Sequence, residues 1–413
     1  MRPADDVRRA IHHLILSRLV VGFASGLSTL GFTVIAIHDL GGVHAGVIVA
    51  AALAIGGLLG NIVGSLADFW SPVRVMLALA GTAAAAAALP FVTVLLGVTT
   101  LPLFAASSGV LALCATGISR ADTTAFVQML PEDELPHVFG LIAARSQIAS
   151  SLAGLCAGAL LIAWAPLPFL IETLAWLSFL PVTLAFGRTY TRVVDVQITR
   201  PALGLAPLLA GFTFALSHGE IAAVLLISSA SNLFLGGFGA VIEIDLVAAG
   251  TSPVLIGLLE TFTSLAALLG SIVSGPISAR LSVRALFILV NSVMGTAIIA
   301  CSLTQDYAVV AASLSVAVFF IPSLGVAAAS SIARMTPMSM QARVSGASSI
   351  ISLGLAAASP GLYGIAYVRM SRLVLFAGTG AAILALAVVS RFTVPMLRTT
   401  AARAERSPEV SGT

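Results

Sequence analysis

Lysine is missing altogether: all 20 basic residues of this 413-residue chain are arginine. A phosphate loop of the form G-x-x-x-x-G-K-[ST] therefore cannot exist, which excludes ATP drive through that motif. Charge of either sign is scarce, at 9% of residues, where soluble domains carry about 25%. With a mean hydropathy of +1.08, most of the surface must be solvated by lipid. The net charge is only +3 and the arginines are scattered as singles and pairs, which argues against a nucleic-acid partner. Cysteine is rare; Cys114, Cys156 and Cys301 each fall inside an apolar run without paired spacing, so neither a disulfide framework nor a metal site is expected. His12, His13, His38, His44, His137 and His218 lie at or beyond the ends of apolar runs, and only the first two adjoin. No metal and no cofactor are expected from that pattern. No Ser/His/Asp constellation emerges from the loops, so the chain does not read as an enzyme. Aromatics make up 7%, which predicts that any internal cavity is lined by aliphatic and small polar groups.

What is present is a series of long apolar runs. Crossing roughly 30 Å of hydrocarbon takes about 20 helical residues. Runs of that length fall near 14–37, 44–66, 73–96, 101–125, 138–163 and 167–187, then near 221–245, 254–278, 284–304, 307–332, 344–367 and 372–393. They predict an all-α integral membrane protein of twelve transmembrane helices. Arg2, Arg8 and Arg9 precede the first run, which continues to Ile37 without a cleavage site, so it reads as an uncleaved first span. The segment Pro201 to Gly219 is apolar enough to be a thirteenth crossing. Topology decides against it: with twelve spans and both termini in the cytoplasm, nearly every arginine faces inward and only Arg369 and Arg372 face out, whereas a crossing at 201–219 inverts everything after it. The segment is expected to lie along the cytoplasmic interface. The resulting organisation is an N-terminal six-helix bundle over 1–187, a cytoplasmic linker with an interfacial segment over 188–220, and a C-terminal six-helix bundle with a tail over 221–413. "Inner" and "outer" below name the two sides of this expected topology, in a cell membrane and as a monomer.

The two halves repeat. Gly64-Ser65-Leu66-Ala67-Asp68-Phe69-Trp70-Ser71-Pro72-Val73-Arg74, between spans 2 and 3, reads almost like Gly275-Pro276-Ile277-Ser278-Ala279-Arg280-Leu281-Ser282-Val283-Arg284, between spans 8 and 9. A repeat covering half the chain, with its polar marker at the same place in each half, points to a duplicated bundle of the secondary-transporter kind.

On these residues the chain resembles the major facilitator superfamily over essentially its whole length. Gly64-x-x-x-Asp68 with Arg74 is similar to that family's loop between helices 2 and 3, G-x-x-x-D-R-x-G-R-R, although Phe69 replaces a basic residue and Ser71-Pro72 replaces the usual Gly and first basic residue. Further stretches resemble the branch of macrolide-efflux and enterobactin exporters: Arg18-Leu19-Val20 opening span 1, Asp122 through Pro131-Glu132-Asp133-Glu134-Leu135 after span 4, Phe169-Leu170-Ile171-Glu172 in span 6, Asn232-Leu233-Phe234-Leu235 in span 7, Ile256-Gly257-Leu258-Leu259-Glu260 in span 8 and Arg343-Val344-Ser345-Gly346 before span 11. The Gly-Pro antiporter signature of helix 5 is absent, while Pro360-Gly361-x-x-Gly364 occurs at the pseudo-equivalent place in span 11. The resemblance implies a secondary active transporter that exports a hydrophobic or amphiphilic small molecule by alternating access, driven by protons. An importer or lipid flippase on the same fold, or a sensor without transport, is the alternative. It also implies a gating latch of Gly64, Asp68 and Arg74 with Arg284 and Arg343, in which Asp68 accepts from the amino end of helix 11. A carboxylate there meets unpaired N–H groups and the positive end of the helix dipole; the alternative is a solvated loop charge.

Other candidates follow from burial chemistry. A carboxylate at bilayer depth costs about 2.5–3.5 kcal/mol on insertion scales, so each is a candidate for function. Glu172 and Glu260 qualify, roughly 8–9 Å below the outer ends of spans 6 and 8 at 1.5 Å per residue. Each is a candidate proton acceptor, neutral in one state and charged when water enters, or else a structural hydrogen-bond acceptor. Glu243 and Asp245 end span 7, where snorkelling to the rim is easy and a cavity role for Glu243 is the alternative. Arg18 and Arg145 lie about one turn inside the inner ends of spans 1 and 5, either snorkelling or countering an anionic substrate. Asn232 is a polar group at depth, either a cavity ligand or an interhelical hydrogen bond. Ser228, Ser229, Ser231, Ser348, Ser349 and Ser352 are candidate linings or packing residues. Gly56, Gly60 and Gly64 form one stripe of span 2, and Gly154 with Gly158 another in span 5, which suits close helix packing.

Overall fold

The computed structural model describes residues 3–68, 70–131, 134–194, 205–337 and 340–396. Among them run thirteen helices: α1 Pro3–Asp39, α2 Val43–Gly64, α3 Pro72–Leu96, α4 Leu101–Met129, α5 Leu135–Ala163, α6 Leu167–Val193, α7 Leu205–Ser217, α8 Gly219–Ala248, α9 Pro253–Arg280, α10 Val283–Leu303, α11 Tyr307–Met335, α12 Gln341–Arg369 and α13 Arg372–Thr393. Twelve are long, from the 21 residues of α10 to the 37 of α1. Eleven helices pass as long and apolar enough to cross a membrane among the described residues, and α12, with 29 residues, is the remaining long one. The chain is a multi-pass membrane protein. Helix α7 has 13 residues, about 20 Å at 1.5 Å per residue, too short to cross.

Local chemistry sets the helix ends. Pro72, Pro102, Pro136 and Pro168 stand in the first turns of α3 to α6, where a missing N–H costs nothing. Asp306 caps α11, its Oδ1 accepting from the Ala308 and Val309 amides at 2.9 and 3.1 Å. Gly97 closes α3 at φ 68°, a left-handed conformation that favours glycine. Several helices outrun their predicted spans, α6 among them, which continues to Val193 rather than 187. α1 begins at Pro3 rather than near residue 14, because its polar first turns continue the same helix, and α4 runs to Met129 rather than 125.

The described chain divides into two compact units. The first comprises Met1–Gly204, Asn232–Leu265 and Leu353–Leu375; the second comprises Leu205–Ser231, Ala266–Ser352 and Phe376–Thr413. Helices α8, α9 and α12 thus give their outer portions to the first unit and their inner portions to the second. In the first unit the α2 glycine stripe lies on α4: a Cβ at Gly56 meets the Gly109 carbonyl, one at Gly60 the Leu113 carbonyl, and one at Gly64 Gly117 and Arg120. Phe32, Phe104 and Phe169 make edge contacts, with centroids 4.6 to 5.7 Å apart, and tie α1, α4 and α6 together. The second unit repeats the device where the duplication predicts it, with Gly270 of α9 against the Phe319 backbone of α11. There, too, Ala215 at the end of α7 packs with Ile221, Leu225 and Val344.

Candidate functional site

Three helices of the first unit bring charge together in their interior. Arg18 (α1) points its Nε at Asp122 Oδ2 (α4), 3.4 Å away, and both side chains are buried. Arg18 Nη2 donates to the Ala115 carbonyl at 3.2 Å, and its guanidinium carbon lies 5.9 Å from the centre of the Phe179 ring. Arg145 of α5, 8% exposed, is an electrostatic neighbour of both. The cluster is under-bonded: Arg18 Nε, Asp122 Oδ2 and Arg145 Nη1 are buried without a hydrogen-bond partner among the described residues. It opens onto a cavity of about 320 Å³ lined by both arginines, Ser25, Thr116, Ser119, Ser146 and Ser150.

The expectation that Arg18 and Arg145 sit about one turn inside their helices is corrected. Arg18 follows Pro3 by about four turns and Arg145 follows Leu135 by nearly three, at 3.6 residues per turn; α1 begins well before its apolar run, whereas Arg145 already lies about two turns into the run near 138–163. Asp122 is a second correction. The sequence placed it with the stretch after span 4, but α4 continues past it and it is 1% exposed. Asp122 falls within the predicted run near 101–125, but its two arginine neighbours come from other helices, which the order of residues along one helix does not record. The signal for its burial was there: Cys114, Ile118, Ala121, Asp122, Ala125 and Met129 lie on the buried stripe of one helix.

Above the cavity, Glu172 of α6 is 1% exposed and accepts from Ser25 Oγ at 2.8 Å and from Trp176 Nε1 at 3.4 Å, while its Oε2 has no partner among the described residues. Ser25 therefore touches Glu172 and also lines the cavity of the two arginines. Arg18 and Ser25 are two helical turns apart on one face of α1.

Glu243 and Glu260 come together from different helices. Thr33 of α1 is a neighbour of Glu243 (α8), and Glu243 is an electrostatic neighbour of Glu260 of α9. Spacing along one helix could not have shown this pair, and the rim position considered for Glu243 is corrected: its Oε1 is buried. Asp245 is corrected as well. It does not snorkel but is 4% exposed, accepting from Arg372 Nε at 2.7 Å and the Tyr367 hydroxyl at 2.8 Å, which joins α8, α12 and α13.

The outer portions of α9 and α12 are held to α5 and α2 by glycine seams inside the same unit. A Cβ at Gly154 meets the Gly257 carbonyl and the Thr261 amide, one at Gly158 meets Pro253, and one at Gly364 meets Val47; Gly361 lies against Ala51. Thr261 Oγ1 adds a bond to the Ser151 carbonyl at 3.1 Å. Pro360 sits within α12, one residue before Gly361. Backbones this close leave no room for water between α5 and α9.

The latch candidates belong to both units. Asp68 ends a short 3-10 turn, Ser65–Asp68, after α2; its side chain lies outside the described residues, as do Phe69 and the side chain of Arg343. Arg74 is exposed in the first turn of α3. In the second unit Arg284 Nε donates to the Val394 carbonyl at 2.7 Å, holding the end of α13. Asn232 is exposed on α8, whereas its neighbour Ser231 makes the buried interhelical bond to Asn291 at 2.8 Å. Ser229 and Ser352 bond each other at 3.0 Å, and Ser348 Oγ is buried without a partner among the described residues.

No family model matches the sequence, and no curated protein matches it. Solved structures do. The POT family transporter PepTSo matches with a TM-score of 0.70 at 12% identity, covering 92% of this chain and 97% of that one. A POT peptide transporter in complex with alafosfalin gives 0.73 at 14% identity, covering 91% and 93%. The nucleoside transporter NupG gives 0.64 at 12%, covering 92% and 98%. At such identities the likeness shows the fold alone, and it gives the drug and macrolide exporter branch no support.

Proposed function

With twelve long helices in the major facilitator fold as the premise, we propose that the chain is a secondary active transporter that carries a small amphiphilic molecule by alternating access, coupled to protons. The observation that carries this reading is the Glu243–Glu260 pair. Two carboxylates, from α8 and α9, are electrostatic neighbours, with Thr33 of α1 next to Glu243, and the glycines of α5 and α9 pack backbone to backbone in the same unit. Neighbouring like charges at bilayer depth are costly to hold together, which makes the pair the candidate for taking up and releasing the coupled proton. Parting the α5–α9 seam admits water and lets that proton leave. A proton cycle and a conformational cycle are thereby tied to the same residues. Asp68 serves the opposite, inner side as a latch, and Glu172 is a second acceptor beside the cavity.

Export is the direction we infer, from the resemblance of the stretches around Arg18, Glu172, Asn232 and Glu260 to exporters. Uptake is the second reading, on a fold that peptide and nucleoside transporters share. One experiment separates the two. The medium and contents of host cells with the chain intact, deleted or carrying Asp68→Asn are compared by untargeted mass spectrometry. A compound that leaves the medium and accumulates in cells when the chain is lost or altered establishes export. A compound that stays in the medium only when the chain is disabled establishes uptake. No compound changing in either direction overturns the transport reading. Glu260→Gln then tests coupling: accumulation driven by a pH gradient is expected to disappear, and its persistence removes Glu260 from the mechanism.

A further inference from the structure

The Arg18–Asp122–Arg145 cluster does no evident work for the fold. A buried structural ion pair is satisfied on all its atoms, because unpaired charge in a low dielectric is costly. Here three buried polar atoms, one on each residue, lack partners among the described residues, and the closest approach of opposite charges is 3.4 Å. The formal charges of two arginines and one aspartate leave one positive charge in excess. That excess lies on the wall of a cavity of about 320 Å³, near the lower end of the roughly 300–1,000 Å³ range of small-molecule sites. Its remaining polar wall is hydroxyl: Ser25, Thr116, Ser119, Ser146 and Ser150. Hydroxyls donate to an anion without adding charge.

Resting on the transport reading above, we propose that this cavity binds the carboxylate of a small organic acid, with Arg145 as the principal anion ligand, Arg18 as the second, and Asp122 holding Arg18 in place. A single carboxylate cancels the excess charge, and its planar pair of oxygens matches the guanidinium fork of Arg145, whose Nη1 has no partner among the described residues. Arg18 is already engaged by the Ala115 carbonyl and Asp122, so the vacancy belongs to Arg145. The Ala115, Ala149 and Val21 side of the cavity supplies apolar contact for the rest of the acid. Ser25 connects the acid to Glu172 through its 2.8 Å bond, which places an ionisable group one hydroxyl away from the bound anion.

The test measures thermal unfolding of the purified full-length protein in detergent with benzoate, phenylacetate and octanoate, each against its primary amide. An acid is expected to raise the melting temperature saturably while its amide does not. Arg145→Gln is expected to weaken that acid at least about tenfold, the effect of losing a charge-assisted hydrogen bond, and Arg145→Lys by less. Replacing the exposed Arg120 by Gln leaves the response unchanged. If no acid is distinguished from its amide, or if both Arg145 variants respond like the parent, the proposal is overturned; should Arg145→Gln not fold, Arg145→Lys carries the test. Flux of the same acid into proteoliposomes is measured in parallel. Binding without flux overturns the transport reading and leaves the anion site standing; flux of neutral or cationic compounds without acid binding does the reverse.

Discussion

Two buried ionic clusters in the first unit differ in how well they are bonded. Around Asp245 both carboxylate oxygens are used, by Arg372 at 2.7 Å and Tyr367 at 2.8 Å. Around Asp122 the nearest arginine nitrogen is 3.4 Å away, and an atom on each of three residues is left over. The first cluster has nothing left to offer a ligand and serves to join helix ends. The second keeps unspent donors beside a cavity. Both centre on a buried aspartate facing arginine, balanced around Asp245 and one arginine in excess around Asp122; saturation separates a strut from a binding site.

The largest expected effect breaks the saturated cluster. Asp245→Asn leaves Arg372 without its counter-charge and should lower stability by about 3 kcal/mol, the low end for a buried pair because Arg372 is 17% exposed; thermal unfolding in detergent measures it. Next, Gly154→Leu drives a side chain into the Gly257 carbonyl and Thr261 amide, and about 2 kcal/mol is expected from overpacking by the same measurement. Arg145→Gln sharpens the contrast: Arg145 Nη1 has no hydrogen bond to lose among the described residues, so stability should change by less than about 1 kcal/mol while transport of the cargo falls to background. A stability loss equal to that of Asp245→Asn would put Arg145 among the struts. Smallest of all, Thr261→Val removes one interhelical bond to the Ser151 carbonyl, for which about 0.6 kcal/mol is typical in a membrane.

The sequence made the long helices legible because apolar length alone determines a crossing. The excess of inward arginines separated the segment around α7 from a thirteenth span, and α7 is indeed 13 residues long. Glu172 stood out as a carboxylate in an apolar run. The pairing of Glu243 with Glu260 and Thr33 did not, because three separate helices meet there and no periodicity along one chain records which faces will touch. Asp122 was overlooked in a similar way: it lies inside the predicted fourth run, but Arg18 and Arg145 reach it from other helices. The start of α1 was misplaced for a related cause, since hydropathy marks where lipid begins and not where a helix starts.

Outer closure is the feature on which the whole account depends. The decisive measurement is transport of the compound identified by mass spectrometry, through a protein with Ser151→Cys and Thr261→Cys in a background where Cys114, Cys156 and Cys301 are alanine. If α5 and α9 must part in every cycle, oxidising the engineered pair stops transport and reduction restores it. Full transport with the cross-link complete would contradict the account, because a seam that never opens cannot be the outer gate.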